Sequence, residues 1–198
     1  MLGLGERVGS RNVYIVDDPS LCREGRGAFE HDDEGRPAGK ALLIREGVVT
    51  GRLRSPAPDE SESPGGHGRR ASYRDLPLSR MGCTIFEAGG DDPEAIVRET
   101  DRGLLVRSIR GGDADPGSGR ITLVIEEGFL IEGGRTTRPL APGLIMATAR
   151  EFLESIDAVG SDLCFDFGSG NCVKADQQVP VIVGLPTVRS RLARVVTP

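Results

Sequence analysis

The sequence predicts an α+β fold made mainly of antiparallel strands, in twisted sheets or a barrel-like core with two or three helices. Three observations predict it. The 28 glycines and 13 prolines among 198 residues punctuate the chain at the density of a turn-rich sheet protein. The apolar runs between them are short and rich in Val and Ile. Two pairs of these runs are joined by hairpin-type connections, Glu46 with Gly47 and Gly133 with Gly134. The 37% hydrophobic content suffices for one domain with a real core, spanning residues 1–198.

In chain order, Asn12 to Val16 (NVYIV) is a β-branched and aromatic run that stops at Asp17, Asp18 and Pro19, a strand running into a turn. Arg23 to Gly39 is polar and places Glu30, Asp32, Asp33 and Glu34 around His31. That chemistry suits a divalent ion, but neighbours in an extended chain point to opposite sides, so a solvated loop is the better reading. Ala41 to Arg45 and Val48 to Leu53 form the first hairpin. Ser55 to Gly68 is almost free of apolar residues and reads as a mobile loop, with His67 incidental within it.

Arg69 to Met81 holds Arg69, Arg70, Ser72 and Tyr73. Guanidinium groups grip carboxylates bidentately and a Tyr hydroxyl can donate to an oxyanion; structural ion pairing is the competing role. Asp92, Pro93 and Glu94 start a helix that should run to about Arg102. Gly111 to Gly119 reads as a loop, and Ile121 to Ile131 pairs through Gly133 and Gly134 with Arg135 to Leu140. Thr148 and Glu151 make a capping box for a second helix, expected to end through Ser155 to Val159 at Gly160. The chain then enters a glycine-flanked loop, GSGNC, carrying Cys172, and leaves it along the apolar run VPVIVG. A thiol held between rigid elements is well placed to bind metal or attack a substrate, although a lone Cys is more often a small packed apolar group.

A net charge of −5 and a pI near 5.2 exclude an extended nucleic-acid-binding face. The local clusters Arg69, Arg70, Arg74, Arg80 and Arg189, Arg191, Arg194 read as solvated faces or contacts to peptide carboxylates. No apolar run is long enough to span a membrane and the start lacks a signal peptide, so a cytoplasmic protein is expected, with no membrane partner. Cys22, Cys83, Cys164 and Cys172 contain no CxxC pair, and free thiols are expected.

The segment VGSDLCFDFGSGNCVKADQQVPVIVGLPTVRSRLARV resembles the C-terminal signature of the TldD/PmbA family of zinc peptidases, whose TldD branch reads VGNDL, CGKxGQ and VPVGxGxPT. YIVDDPSLCREGRGAFEHDDEGRPAGKALLIREGVVTG is similar to its IVDD, DDEG and LIExGxLxG blocks, and GHGRRASYRDLPLSRM to its GNGRRESY and PRM blocks. GSGRITLVIEEGFLIEGGRTTRPLAPGLI is similar to its last long sheet segment. Val173 stands where the family has Gly, and Ala175 to Gln177 depart from its KxGQ spacing.

The resemblance implies a C-terminal domain of a zinc peptidase acting on unfolded or leader-type peptides. In it Cys172 would be a zinc ligand, and Arg69, Arg70 and Tyr73 would help to seat the peptide. The family's HExxxH motif, which brings two His ligands and the general base, is absent here. Its expected source is another chain or a missing segment, and the expected partner is a TldE/PmbA-like or HExxxH-bearing chain. The alternative is a non-catalytic peptide-binding or scaffold subunit of such a complex, with Cys172 a packed thiol.

Overall fold

Runs of Val and Ile become strands where a turn folds them back on a neighbour, and the computed structural model describes residues 3–21, 25–55, 66–168, 170–191 and 195–196. Strand β1 (Ile15–Asp17) follows the first apolar run. Next come β2 (Ala41–Arg45) and β3 (Val48–Val49), and then two short strands, β4 (Gly68–Arg69) and β5 (Leu78–Ser79). The turn between β2 and β3 puts Glu46 at φ 50° and Gly47 at φ 73°, the left-handed pair that hairpin twist demands. Strand β6 (Cys83–Phe86) precedes helix α1 (Pro93–Arg98), which Asp92 caps by accepting the Glu94 N–H. The helix ends at Arg98, short of the expected Arg102, because β7 (Arg102–Ala114) claims that residue as its first.

Strand β7 runs through the stretch expected to be a loop from Gly111. It does so because β8 (Arg120–Glu132) lies alongside it and pairs Gly111 with Val124 and Gly112 with Leu123. Strand β9 (Arg135–Pro139) folds back on β8 through Gly133 and Gly134, at φ 58° and 71°, and β10 (Gly143–Thr148) pairs with β8 on the same edge, the one away from β7. Both halves of the Thr148 and Glu151 capping box form at the start of α2 (Ala149–Glu154). That helix stops at Ser155. The expected helical end from Ser155 to Val159 is instead β11 (Ile156–Val159), whose buried Ile156, Ala158 and Val159 suit a strand. Gly160 is not a left-handed cap there; its N–H donates to Thr187 O at 2.7 Å.

The C-terminal strands are β12 (Cys164–Asp166), β13 (Asn171–Lys174), β14 (Gln177–Pro180), β15 (Ile182–Leu185), β16 (Val188–Ser190) and β17 (Val195–Val196). A six-stranded sheet has the order β12-β15-β6-β1-β2-β3, with β15 parallel to β6 and the other neighbours antiparallel. A five-stranded sheet runs β17-β10-β8-β7 with β9 also on β8, and the pairs β11-β16, β13-β14 and β4-β5 complete the set. The sheets are open, so the architecture is the mainly antiparallel one and not the barrel-like alternative.

Two apolar clusters hold the first sheet. One gathers Val8, Val13, Ile44, Val49, Phe86, Ile156 and Val159; the other gathers Val16, Cys83, Ile85 and Ile182. Cys83 is fully buried and disulfide-bonded, which corrects the expectation of free thiols: the tertiary fold supplies a sulfur that local spacing does not show. Cys164 and Cys172 are free, and Cys22 lies outside the described residues. Among the described residues no helix is long and apolar enough to cross a membrane.

Candidate functional site

Cys172 does not sit on a loop. It is half-buried in β13, opposite Val179 of β14, in a hairpin that turns at Ala175 and Asp176 with φ 48° and 59°. Val173 has extended backbone and is 66% exposed, so its side chain costs nothing at the position where the family has Gly.

Arg80 mounts this hairpin. It is 1% exposed, and its guanidinium donates to the carbonyls of Cys172 at 2.8 Å, Gln177 at 3.2 Å and Lys174. One planar fork thus binds three carbonyls of the hairpin at once. Around it, Lys174 Nζ donates to Ser79 O at 3.1 Å, Gln177 Nε2 donates to Leu76 O at 3.1 Å, and Gln177 Oε1 accepts the Ala71 N–H at 3.2 Å. The segment from Ala71 to Arg80 is therefore the base on which Cys172 is held. The basic-cluster reading of Arg80 is corrected: its charge is buried against backbone.

Arg69 lies next to this base. It is 8% exposed, donates to Met81 O at 2.7 Å, and its guanidinium carbon lies 5.0 Å from the centre of the Phe29 ring. Burial pulls Arg69 below its ordinary value, opposed by the negative fields of Asp33, Asp17 and the Cys172 sulfur. Arg69 and Arg70 line a cleft of about 250 Å³ whose other walls are Phe29, His31, Asp32, Asp33, Ala71 and Gln178 to Pro180 of β14. Tyr73 is not in it. That side chain is 77% exposed, and Arg74 donates to its hydroxyl at 2.8 Å and covers its ring.

Sequence reasoning missed the pair beneath β4. His67, expected in a mobile loop, is 2% exposed; residues 56–65 of that loop lie outside the described residues. Its Nε2 is 3.6 Å from Asp17 Oδ1, and neither ring nitrogen makes a hydrogen bond. Asp17, fully buried, accepts the Gly82 N–H at 3.0 Å and the Thr84 hydroxyl at 2.6 Å. Burial raises Asp17 and lowers His67, each resisting charge in a dry site, with the neighbouring opposite charge working against both shifts. An acid closing an apolar strand, IVD, was the available signal.

Among the described residues no three His, Cys, Asp or Glu side chains come together as a metal site. Cys172 offers one thiol donor, and the described residues do not complete a centre around it.

Residues 2–196 match the family model described as the PmbA/TldA metallopeptidase C-terminal domain. A metalloprotease of Methanothermobacter thermautotrophicus is 35% identical over 194 residues, covering 97% of this chain and 42% of that protein. A Haemophilus influenzae protein named metalloprotease TldD homolog is 33% identical over 188 residues, covering 94% and 39%. TldE from Thermococcus kodakarensis shares the fold with a TM-score of 0.78 at 22% identity, covering 98% of this chain and 42% of that one. The chain thus spans about two fifths of the length of these relatives. Matched from end to end by the model and aligned over nearly its whole length with both metalloproteases, the chain belongs to the PmbA/TldA metallopeptidase C-terminal domain family.

Proposed function

We propose that this chain is the C-terminal part of a TldD-like zinc metallopeptidase that acts on unfolded or leader-type peptides in the cytoplasm. Cys172 contributes a thiolate to zinc, a donor type that zinc favours. The two histidine ligands and the general base come from an HExxxH helix on another chain or segment, in a complex of TldD/TldE type. Within this chain the work is binding and orientation. Arg69 and Arg70 take up the peptide in the cleft, Tyr73 meets it at the exposed surface nearby, and Arg80 keeps Cys172 in place. No step of hydrolysis is written on this chain alone, because its described residues supply a single candidate ligand.

The observation that supports this reading is the mounting of Cys172, whose strand and turn carbonyls are fixed by a buried guanidinium. The test is zinc content by mass spectrometry, on the chain alone and on its complex with an HExxxH-bearing partner. The expected result is about one zinc per complex, none on the chain alone, and loss of the metal in Cys172→Ser. A complex that binds no zinc, or keeps it in Cys172→Ser, overturns the ligand role. A zinc-free complex selects the second reading, a peptide-binding scaffold subunit, which is favoured by the lack of a clustered ligand set among the described residues.

A further inference from the structure

We infer that the cleft beside β14 is a carboxylate seat, so that the peptides this chain takes carry a negative charge close to the position facing Cys172. Only the last clause rests on the proposed metallopeptidase reading. The seat itself follows from which polar groups in the cleft are already occupied.

The acids are largely used up. Asp32 is buried; one of its oxygens accepts the Glu34 and Arg36 N–H groups and the other accepts the Gly68 N–H. Asp33 spends one oxygen on the Arg70 N–H. The cations are not used up. Arg69 makes one hydrogen bond among the described residues, to Met81 O, and its plane is fixed over Phe29. The half-buried Arg70 side chain has no hydrogen-bond or ion-pair partner among them.

Arg69 and Arg70 both line the cleft and both keep spare guanidinium donors, the groups that carboxylates select. Val179 and Pro180 also line the cleft, apolar surface that strengthens the attraction by excluding water. Asp32 and Asp33 together balance the charges of Arg69 and Arg70, so the seat rests on the spare guanidinium donors and not on net charge. Val179 is the cross-strand partner of Cys172, which places the seat one strand away from the thiol. A peptide held there presents to Cys172 a bond close to its charged group.

The carboxylate has two possible sources, an acidic side chain or the peptide's own C-terminus. The test is binding of seven-residue Ser/Ala/Thr peptides bearing an uncharged N-terminal fluorophore, followed by anisotropy on this chain without added metal. The reference peptide has a central Gln and an amidated end; the others have a central Glu with an amidated end, or a central Gln with a free carboxylate. One or both anionic peptides should bind about tenfold tighter than the reference, and the arm that gains names the source. In Arg70→Gln, with melting temperature and far-ultraviolet spectrum unchanged, the preference should vanish. Equal binding of all three, no binding of any, or a preference that survives Arg70→Gln overturns the inference. The zinc experiment reads Cys172 without any peptide, so the two ideas fail separately.

Discussion

Arg80 and His67 are buried for opposite reasons, and each leads to a test. Arg80 serves three carbonyls; replacing it with Met removes those bonds together. Arg80→Met should cost about 2–4 kcal/mol in chemical denaturation, with Arg80→Lys losing less, and hydrogen exchange should accelerate first in residues 172–178. His67 is kept neutral by burial, its value lowered against Asp17's pull. The unfolded chain therefore takes up a proton near pH 6.5 that the native chain refuses, so the stability that neutral His67 provides is complete above that pH and is lost as pH falls. Asp17 has the opposite sign: its raised value makes native protonation easier at lower pH. Comparing the native chain with His67→Asn isolates the first effect. The difference in melting temperature between pH 7.5 and 5.5 should be larger in the native chain. Neither residue was legible beforehand, because Arg80 bonds to backbone far along the chain and His67 lies beside a loop whose composition suggests exposure. That Arg69 and Arg70 line one cleft with residues of β14 was not legible either, because only the fold brings positions so far apart in the chain together.

The elements that could be read from sequence are those whose signal is local. The hairpin turns at Glu46 and Gly47 and at Gly133 and Gly134, the Asp92 cap and the Thr148 capping box all formed where their residues dictate. The reach of β7 to Ala114 and the strand β11 could not be read, because β8 and β16 impose them across space. The β8–β9 turn offers a paired test of the same logic. Gly133 and Gly134 both need the left-handed region, but a Cβ on Gly133 meets nothing within 4 Å, while one on Gly134 would fall 2.2 Å from Arg98 O. Gly133→Ala should cost about 1 kcal/mol of strain alone, and Gly134→Ala several times that, measured by urea unfolding.

At the scale of the molecule, the class of fold was legible and the strand order was not. Strand β15 lies inside the six-stranded sheet, between β12 and β6, so a chain truncated after Gly170 should lose that sheet's cooperative melting, which circular dichroism would show. Strand β15 also forms the parallel pair of that sheet, joining Ile182 to Cys83 across about a hundred residues of chain. Long loop closures of this kind are slow. During synthesis Asp17, Arg69 and Arg80 leave the ribosome well before Cys172, and they wait as half a mount. The hairpin reaches them only when β13 to β15 have been made and the sheet closes. A chain in which this sheet has not closed keeps Cys172 apart from Arg80, so the mount of that thiol is a mark of completed folding.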